Sequence, residues 1–137
     1  TLARLQHWID GQVRRFAAEL ELDLGGVPLA MTDCWVNVMP RGVTHNLHLH
    51  PLSVVSGTYY VRVPRGAPGL KFEDPRLDRY MGAPPREAGA ALRNRSWIML
   101  PAAPGGLLLF ESWLRHEVAA NTSGSDRISI SFNYGWG

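Results

Sequence analysis

Beyond Pro28 the sequence breaks into short runs rich in Val, Ile, Trp, Tyr and Phe, set apart by Gly, Pro, Asn and Ser clusters. This punctuation constrains the chain to a strand-built fold. The runs lie near Met31–Met39, Asn46–His50, Ser53–Val63, Leu70–Glu73, Ser96–Leu100, Leu107–Glu111, His116–Ala120 and Arg127–Tyr134. Eight short strands without helices between them suit two packed sheets better than an alternating βαβ arrangement. The expected class is mainly β: a double-stranded β-helix, or cupin-like jelly roll, with a β core over about 30–136.

One segment has a different period. Leu5, Trp8, Ile9, Val13, Phe16, Ala17 and Leu20 recur at the three-and-four spacing of a helical face, with Gln6, Asp10, Arg14 and Arg15 off the stripe. This predicts an amphipathic helix over about 3–22, stopped by Gly25-Gly26 ahead of Pro28 and packed on a sheet. Residues 74–95, rich in Pro, Gly, Ala and Arg around Pro84-Pro85, show no strand alternation and read as a long loop. A loop of this length in a compact domain is a candidate lid. Its Arg76, Arg79, Arg86, Arg93 and Arg95 would favour an anionic substrate, or are solvated surface charge.

Length and 45% hydrophobic content allow one sizeable core, so residues 1–137 are expected to form a single domain. A formal net charge of +2 gives no electrostatic case for nucleic-acid binding. The lone cysteine, Cys34, cannot form an intramolecular disulfide, and no apolar run reaches the length that spans a bilayer. A cytoplasmic protein with no membrane partner is the simplest expectation.

Three of the five histidines fall in His45-Asn46-Leu47-His48-Leu49-His50-Pro51. On a strand, His48 and His50 share a face and can grip one ion, whereas His45 has the opposite parity. A lone His-x-His pair is more often a half-buried strand pair than a metal arm, so a third ligand is needed. His116 is the candidate, since three protein ligands on one face of an octahedral ion leave positions open for other ligands. His7 falls on the helix and reads as solvated. Imidazole suits Fe, Zn, Cu and Ni alike, so the histidines do not choose the metal. Eleven residues after His116, Arg127 opens a segment that separates Ile128, Ile130, Phe132 and Tyr134 from Arg127, Ser129, Ser131 and Asn133. The second set is ready to line a polar pocket, where a guanidinium can take a carboxylate through two parallel hydrogen bonds.

The order His-x-His, distant His, then Arg resembles the Fe(II)/2-oxoglutarate-dependent oxygenase superfamily. More narrowly, His48-Leu49-His50-Pro51 followed by Ser56-Gly57-Thr58-Tyr59-Tyr60-Val61, then Phe110–Val118 and Arg127–Asn133, resemble a group of bacterial and phage 2-oxoglutarate oxygenases. The resemblance runs from about Trp35 to the end. It implies Fe(II) held by His48, His50 and His116, and 2-oxoglutarate held through its distal carboxylate by Arg127 and Ser129. It also implies that Tyr60 faces the same carboxylate and that Asn37 contacts the cosubstrate. Tyr60 shares its face with Ser56 and Thr58, which suits a polar wall. Tyr59 shares the opposite face with Val61 and Val63. The implied activity is O2-dependent hydroxylation of a substrate with release of succinate and CO2. His50 departs from the superfamily pattern, which carries Asp or Glu there, and leaves the metal site one unit more positive. Two rival readings use the same histidines: a three-histidine cupin-type dioxygenase that does not use 2-oxoglutarate, and a non-catalytic jelly-roll module. In the latter, His45 or Glu117 would close the coordination.

Overall fold

The computed structural model describes Thr1–Gly137. Helix α1 (Leu2–Glu19) precedes eight strands: β1 (Ala30–Met39), β2 (His45–His48), β3 (Val55–Arg62), β4 (Leu70–Glu73), β5 (Trp97–Leu100), β6 (Leu107–Glu111), β7 (His116–Val118) and β8 (Arg127–Gly135). They form two four-stranded sheets ordered β1-β8-β3-β6 and β2-β7-β4-β5, with every pair antiparallel. The chain passes back and forth between the sheets, which is the double-stranded β-helix expected from the strand count.

The first sheet has two different faces. On its outer face Val55, Phe132 and Tyr134 pack with Ile9 and Val13 of α1, flanked by Leu5, Phe16, Leu107 and Leu109. The amphipathic stripe is thus covered, and the Tyr134 hydroxyl donates to Asp10 at 2.6 Å. On the inner face, between the sheets, Ser56, Thr58, Tyr60, Arg127, Ser129 and Asn133 are buried. The alternation in β8 therefore separates an apolar contact with the helix from a polar interior. A smaller apolar cluster of Met39, Leu70, Phe110 and Val118 fills part of that interior.

The helix ends earlier than the glycine pair predicts. Glu21 takes the left-handed conformation (φ 55°), and the N–H groups of Glu21 and Leu22 donate to the Ala18 and Ala17 carbonyls at 3.0 and 3.1 Å. This is a Schellman-type stop with Glu in the position that usually favours Gly. Gly25 and Gly26 instead form the next turn. Segment 74–95 contains two short 3₁₀ turns, Leu77–Tyr80 and Leu92–Asn94, within an otherwise irregular loop. Gly57 has a specific packing role: a Cβ there would meet the Phe132 ring at 2.5 Å and the Leu108 carbonyl oxygen at 2.8 Å. No helix is long and apolar enough to cross a membrane.

Candidate metal centre and cosubstrate pocket

His48 closes β2, His116 opens β7, and the two are direct cross-strand partners. His50 lies just past β2, where its backbone N–H donates to the Ser112 carbonyl at 3.0 Å. The ring centroids are 5.1 Å apart for His48–His50, 4.4 Å for His48–His116 and 5.2 Å for His50–His116. One ring nitrogen of each lies within 4.8 Å of the other two, a spacing that suits three ligands around one ion. His7 lies exposed on α1.

The tautomers of two ligands follow from their neighbours. His48 Nδ1 lies 2.6 Å from the Asn46 carbonyl oxygen and His116 Nδ1 lies 2.9 Å from that of Leu114. A carbonyl only accepts, so Nδ1 carries the proton and Nε2 keeps its lone pair for a metal. Burial pushes the His116 imidazole down to about 4, with the Leu114 carbonyl pulling the other way and the neighbouring imidazoles adding to the depression. His50 is also lowered, first by burial and then by His48, with Asp33 opposing. His116 therefore needs no deprotonation to bind a cation at neutral pH. Exposure is graded: His116 is buried beside Phe110, His50 is half-buried against the Trp35 ring at 5.8 Å, and His48 is exposed. The site consequently opens on the His48 side.

Behind the histidines a cavity of about 70 Å³ extends into the barrel, lined in its middle by Asn37, His45, Thr58 and Ser131. Asn37 donates to Ser131 Oγ at 2.8 Å. Beyond the Asn37 wall, whose register partner is Ser129, Arg127 is fully buried, donating through Nε to the Pro68 carbonyl at 3.0 Å and through Nη1 to Met39 Sδ at 3.3 Å and Ser129 Oγ at 3.4 Å. Its Nη2 has no partner, and neither does the buried Tyr60 hydroxyl. No carboxylate pairs with Arg127. Burying an uncompensated guanidinium costs on the order of several kcal/mol, so a fold that keeps one there has a place for an anion. Burial raises the Tyr60 phenol while Arg127 opposes it, leaving a neutral donor beside the cation. The residues present fit a ligand that is anionic at the Arg127 end and chelates a metal at the other.

The structure thus brings His48, His50, His116 and Asn37 to one cavity and sets Arg127, Ser129 and Tyr60 together beside it, since Ser129 is the register partner of both Asn37 and Tyr60 and accepts from Arg127. One expectation is overturned. Two residues of β2 separate His45 from His48 while only one of β7 separates their partners Val118 and His116, so β2 carries a bulge. The extra residue cancels the parity difference, and His45 faces the same cavity as His48. Neither His45 nor Glu117 joins the metal set. Glu117 instead takes the Lys71 ammonium at 2.7 Å.

Loop 74–95 lines a separate cleft of about 690 Å³ and no part of the histidine cavity. Several of its arginines are engaged locally: Arg76 pairs with Asp74 at 2.6 Å, Arg79 donates to Arg93 O and Asn94 Oδ1, and Arg95 donates to Ala90 O. Two positions near the site escaped notice in the sequence. Trp35 flanks His50, and buried Asn121 ties the end of β1 to the loop before Arg127. Asn121 does so by donating to the Met39 and Ser125 carbonyls at 2.7 and 3.0 Å and accepting from Ser123 N–H and Oγ. In sequence Asn121 is indistinguishable from the other turn residues of Asn121-Thr122-Ser123-Gly124-Ser125.

No curated protein matches the chain significantly. Solved structures similar in fold include a 2OG-Fe(II) oxygenase family oxidoreductase from Burkholderia pseudomallei (TM-score 0.64, 18% identity, 90% of this chain and 50% of that one). They also include SnoN, a non-heme α-ketoglutarate-dependent epimerase of nogalamycin biosynthesis (0.58, 17%, 82% and 51%). A third is a prolyl-4-hydroxylase from Pseudomonas putida (0.57, 20%, 88% and 59%). The chain therefore spans only about half to three fifths of these proteins. A family model described as "Putative 2OG-Fe(II) oxygenase" matches residues 33–133, from just before Trp35 through the polar face of β8. That span covers most of the chain and all seven candidate site residues: the chain belongs to this 2OG-Fe(II) oxygenase family, which implies Fe(II) as its metal and 2-oxoglutarate as its cosubstrate.

Proposed function

We propose that the chain is a 2-oxoglutarate-dependent dioxygenase that hydroxylates a substrate presented at the His48 side of the barrel. The observation that carries this reading is the buried Arg127 guanidinium with its unpartnered Nη2 beside the unpartnered Tyr60 hydroxyl, joined through Ser129 to Asn37 on the wall of the cavity that the three imidazoles line. His48, His50 and His116 would hold Fe(II), and Arg127, Ser129 and Tyr60 would hold the distal carboxylate, with Asn37 along the wall. Bound Fe(II) and 2-oxoglutarate supply the oxidising chemistry: decarboxylation of the 2-oxo acid to succinate and CO2, coupled to insertion of one oxygen atom from O2 into a substrate C–H bond. The chain's own residues do the rest. Arg127 neutralises and orients the dianion, the Asn46 and Leu114 carbonyls fix two imidazoles in the metal-binding tautomer, and Phe110 and Trp35 shield the inner ligands from water.

A three-histidine dioxygenase without 2-oxoglutarate shares the donor set and gives Arg127 no task. Anaerobic addition of 2-oxoglutarate to the Fe(II)-loaded chain separates the two, because chelation yields a visible charge-transfer band. In air, succinate should form only with Fe(II), O2 and an intact Arg127. Fe(II) binding without band or succinate would exclude the proposal. Hydroxylation is the reaction assigned here, and the epimerase among the structural relatives makes product analysis a necessary part of the assay.

A further inference from the structure

His45 is the fourth imidazole on the cavity, and it alone of the four has neither a place in the metal set nor a hydrogen-bonded ring. The β2 bulge turns it inward, yet its ring nitrogens fall outside the metal set. The rings of His48 and His116 are each anchored through Nδ1 by a backbone carbonyl, whereas that of His45 makes no hydrogen bond within the protein. Its neighbours in the middle of the cavity are occupied with one another: Asn37 donates to Ser131, and Ser131 to Thr58 at 3.4 Å. His45 is thus the side chain there with both nitrogens free.

Its position along the barrel is equally specific. Residues 40–44 alone separate it from Met39, the β1 residue paired with Arg127. Met39 Sδ accepts from Arg127 Nη1. The cross-strand partner of His45, Val118, packs in one apolar cluster with Met39, which sets His45 toward the Arg127 end of the interior. Burial, then the positive charge of Arg127, then His48 keep its imidazole below its ordinary value, so it is neutral. A neutral imidazole beside an arginine adds a directional N–H donor without adding charge.

We propose that His45 is a cosubstrate-binding residue whose imidazole N–H donates to the distal carboxylate of 2-oxoglutarate alongside Arg127. The inference rests on the cosubstrate reading above. It assigns the third histidine of the crowded run to the organic ligand and not to the metal. Arg127 supplies charge from β8 and His45 supplies a hydrogen bond from β2, so the two sheets hold the carboxylate between them.

Calorimetric titration of the Fe(II)-loaded chain with 2-oxoglutarate under anaerobic conditions tests this, comparing wild type, His45→Phe, His45→Gln and Arg127→Ala. His45→Phe should weaken 2-oxoglutarate binding at least about tenfold, the scale of a hydrogen bond to a charged group. His45→Gln, which keeps a donor, should recover most of that loss, and Fe(II) affinity should stay within about twofold in both. If His45→Phe does not fold, His45→Val makes the same comparison. Wild-type 2-oxoglutarate affinity in the Phe variant overturns the inference, as does a parallel loss of Fe(II), which would make His45 a metal ligand. Absence of 2-oxoglutarate binding in wild type, or binding indifferent to Arg127→Ala, would instead bring down the cosubstrate reading itself.

Discussion

The Arg127 guanidinium carbon lies 5.2 Å from the centroid of the Tyr60 ring, and each side chain keeps one buried polar atom, Nη2 and the phenolic hydroxyl, without a partner. Two adjacent orphan donors of this kind are costly in isolation and are both satisfied by one carboxylate.

Replacing Arg127 with Met should therefore have opposite effects on stability and binding. Without ligand the variant should melt at or above the wild-type temperature, because an uncompensated buried charge is removed. Its affinity for 2-oxoglutarate should fall by about a hundredfold or more, and the thermal shift that 2-oxoglutarate gives wild type should vanish. Differential scanning fluorimetry reads both. A strongly destabilised apo variant would mean that Arg127 serves the fold and not a ligand.

Substituting His50 by Asp restores the carboxylate that the wider superfamily carries. Fe(II) binding should survive, and the Fe(III)/Fe(II) potential should drop because the donor set gains a negative charge. Alanine at His48 or His116 should cost metal affinity by about a hundredfold or more. Redox titration and metal calorimetry give the two numbers, and an unchanged potential in the Asp variant would show that residue 50 does not bind the metal.

The metal-free protein should lose stability on acidification through an identified group. His116 is held at about 4 in the fold, against about 6.5 in an unfolded chain. Between those values the unfolded chain binds the extra proton, so its contribution to stability falls as pH drops from about 6.5 to about 4 and levels off below. Urea midpoints measured with a chelator present should show this slope, and His116→Phe should flatten it. An equal slope in the Phe variant would assign the effect elsewhere.

Asn121→Ala should destabilise by about 2 kcal/mol, since it strips a partner from the carbonyl of buried Met39 and from the N–H of buried Ser123, while the Ser123 hydroxyl keeps the Ser125 carbonyl. Because the residue braces the strand ends that carry Met39 and Arg127, 2-oxoglutarate affinity should weaken with it. Chemical denaturation against the binding isotherm tests the coupling.

The strands were legible because strand alternation and turn chemistry agree locally: β4 and β6 occupy the predicted residues, and the polar face of β8 points inward as its alternation requires. The errors arose where one residue breaks a period. The β2 bulge reverses the facing of His45, and nothing in His45-Asn46-Leu47-His48 announces an extra residue. The Ser56-Thr58-Tyr60 face of β3, by contrast, is buried as its polar character suggested: Tyr60 is 2% exposed, whereas Val61 on the opposite face is 47%. The interior here is largely polar, so apolar character alone is a poor guide to depth. Glu21 stopped the helix in a conformation usually left to Gly, so the glycine pair misled.

The two faces of the β1-β8-β3-β6 sheet divide stability from chemistry. Outside, the sheet is held by apolar packing under α1, while between the sheets buried polar residues share the space with a smaller apolar cluster. Neighbouring residues of one strand, such as Phe132 and Ser131 or Ile130 and Ser129, thus answer to separate demands. A pocket can be rebuilt for a new cosubstrate or substrate by changing alternate residues while the helix-facing cluster stays untouched. The helix, which lines no part of the histidine cavity, supplies the apolar packing that the polar face of this sheet does not.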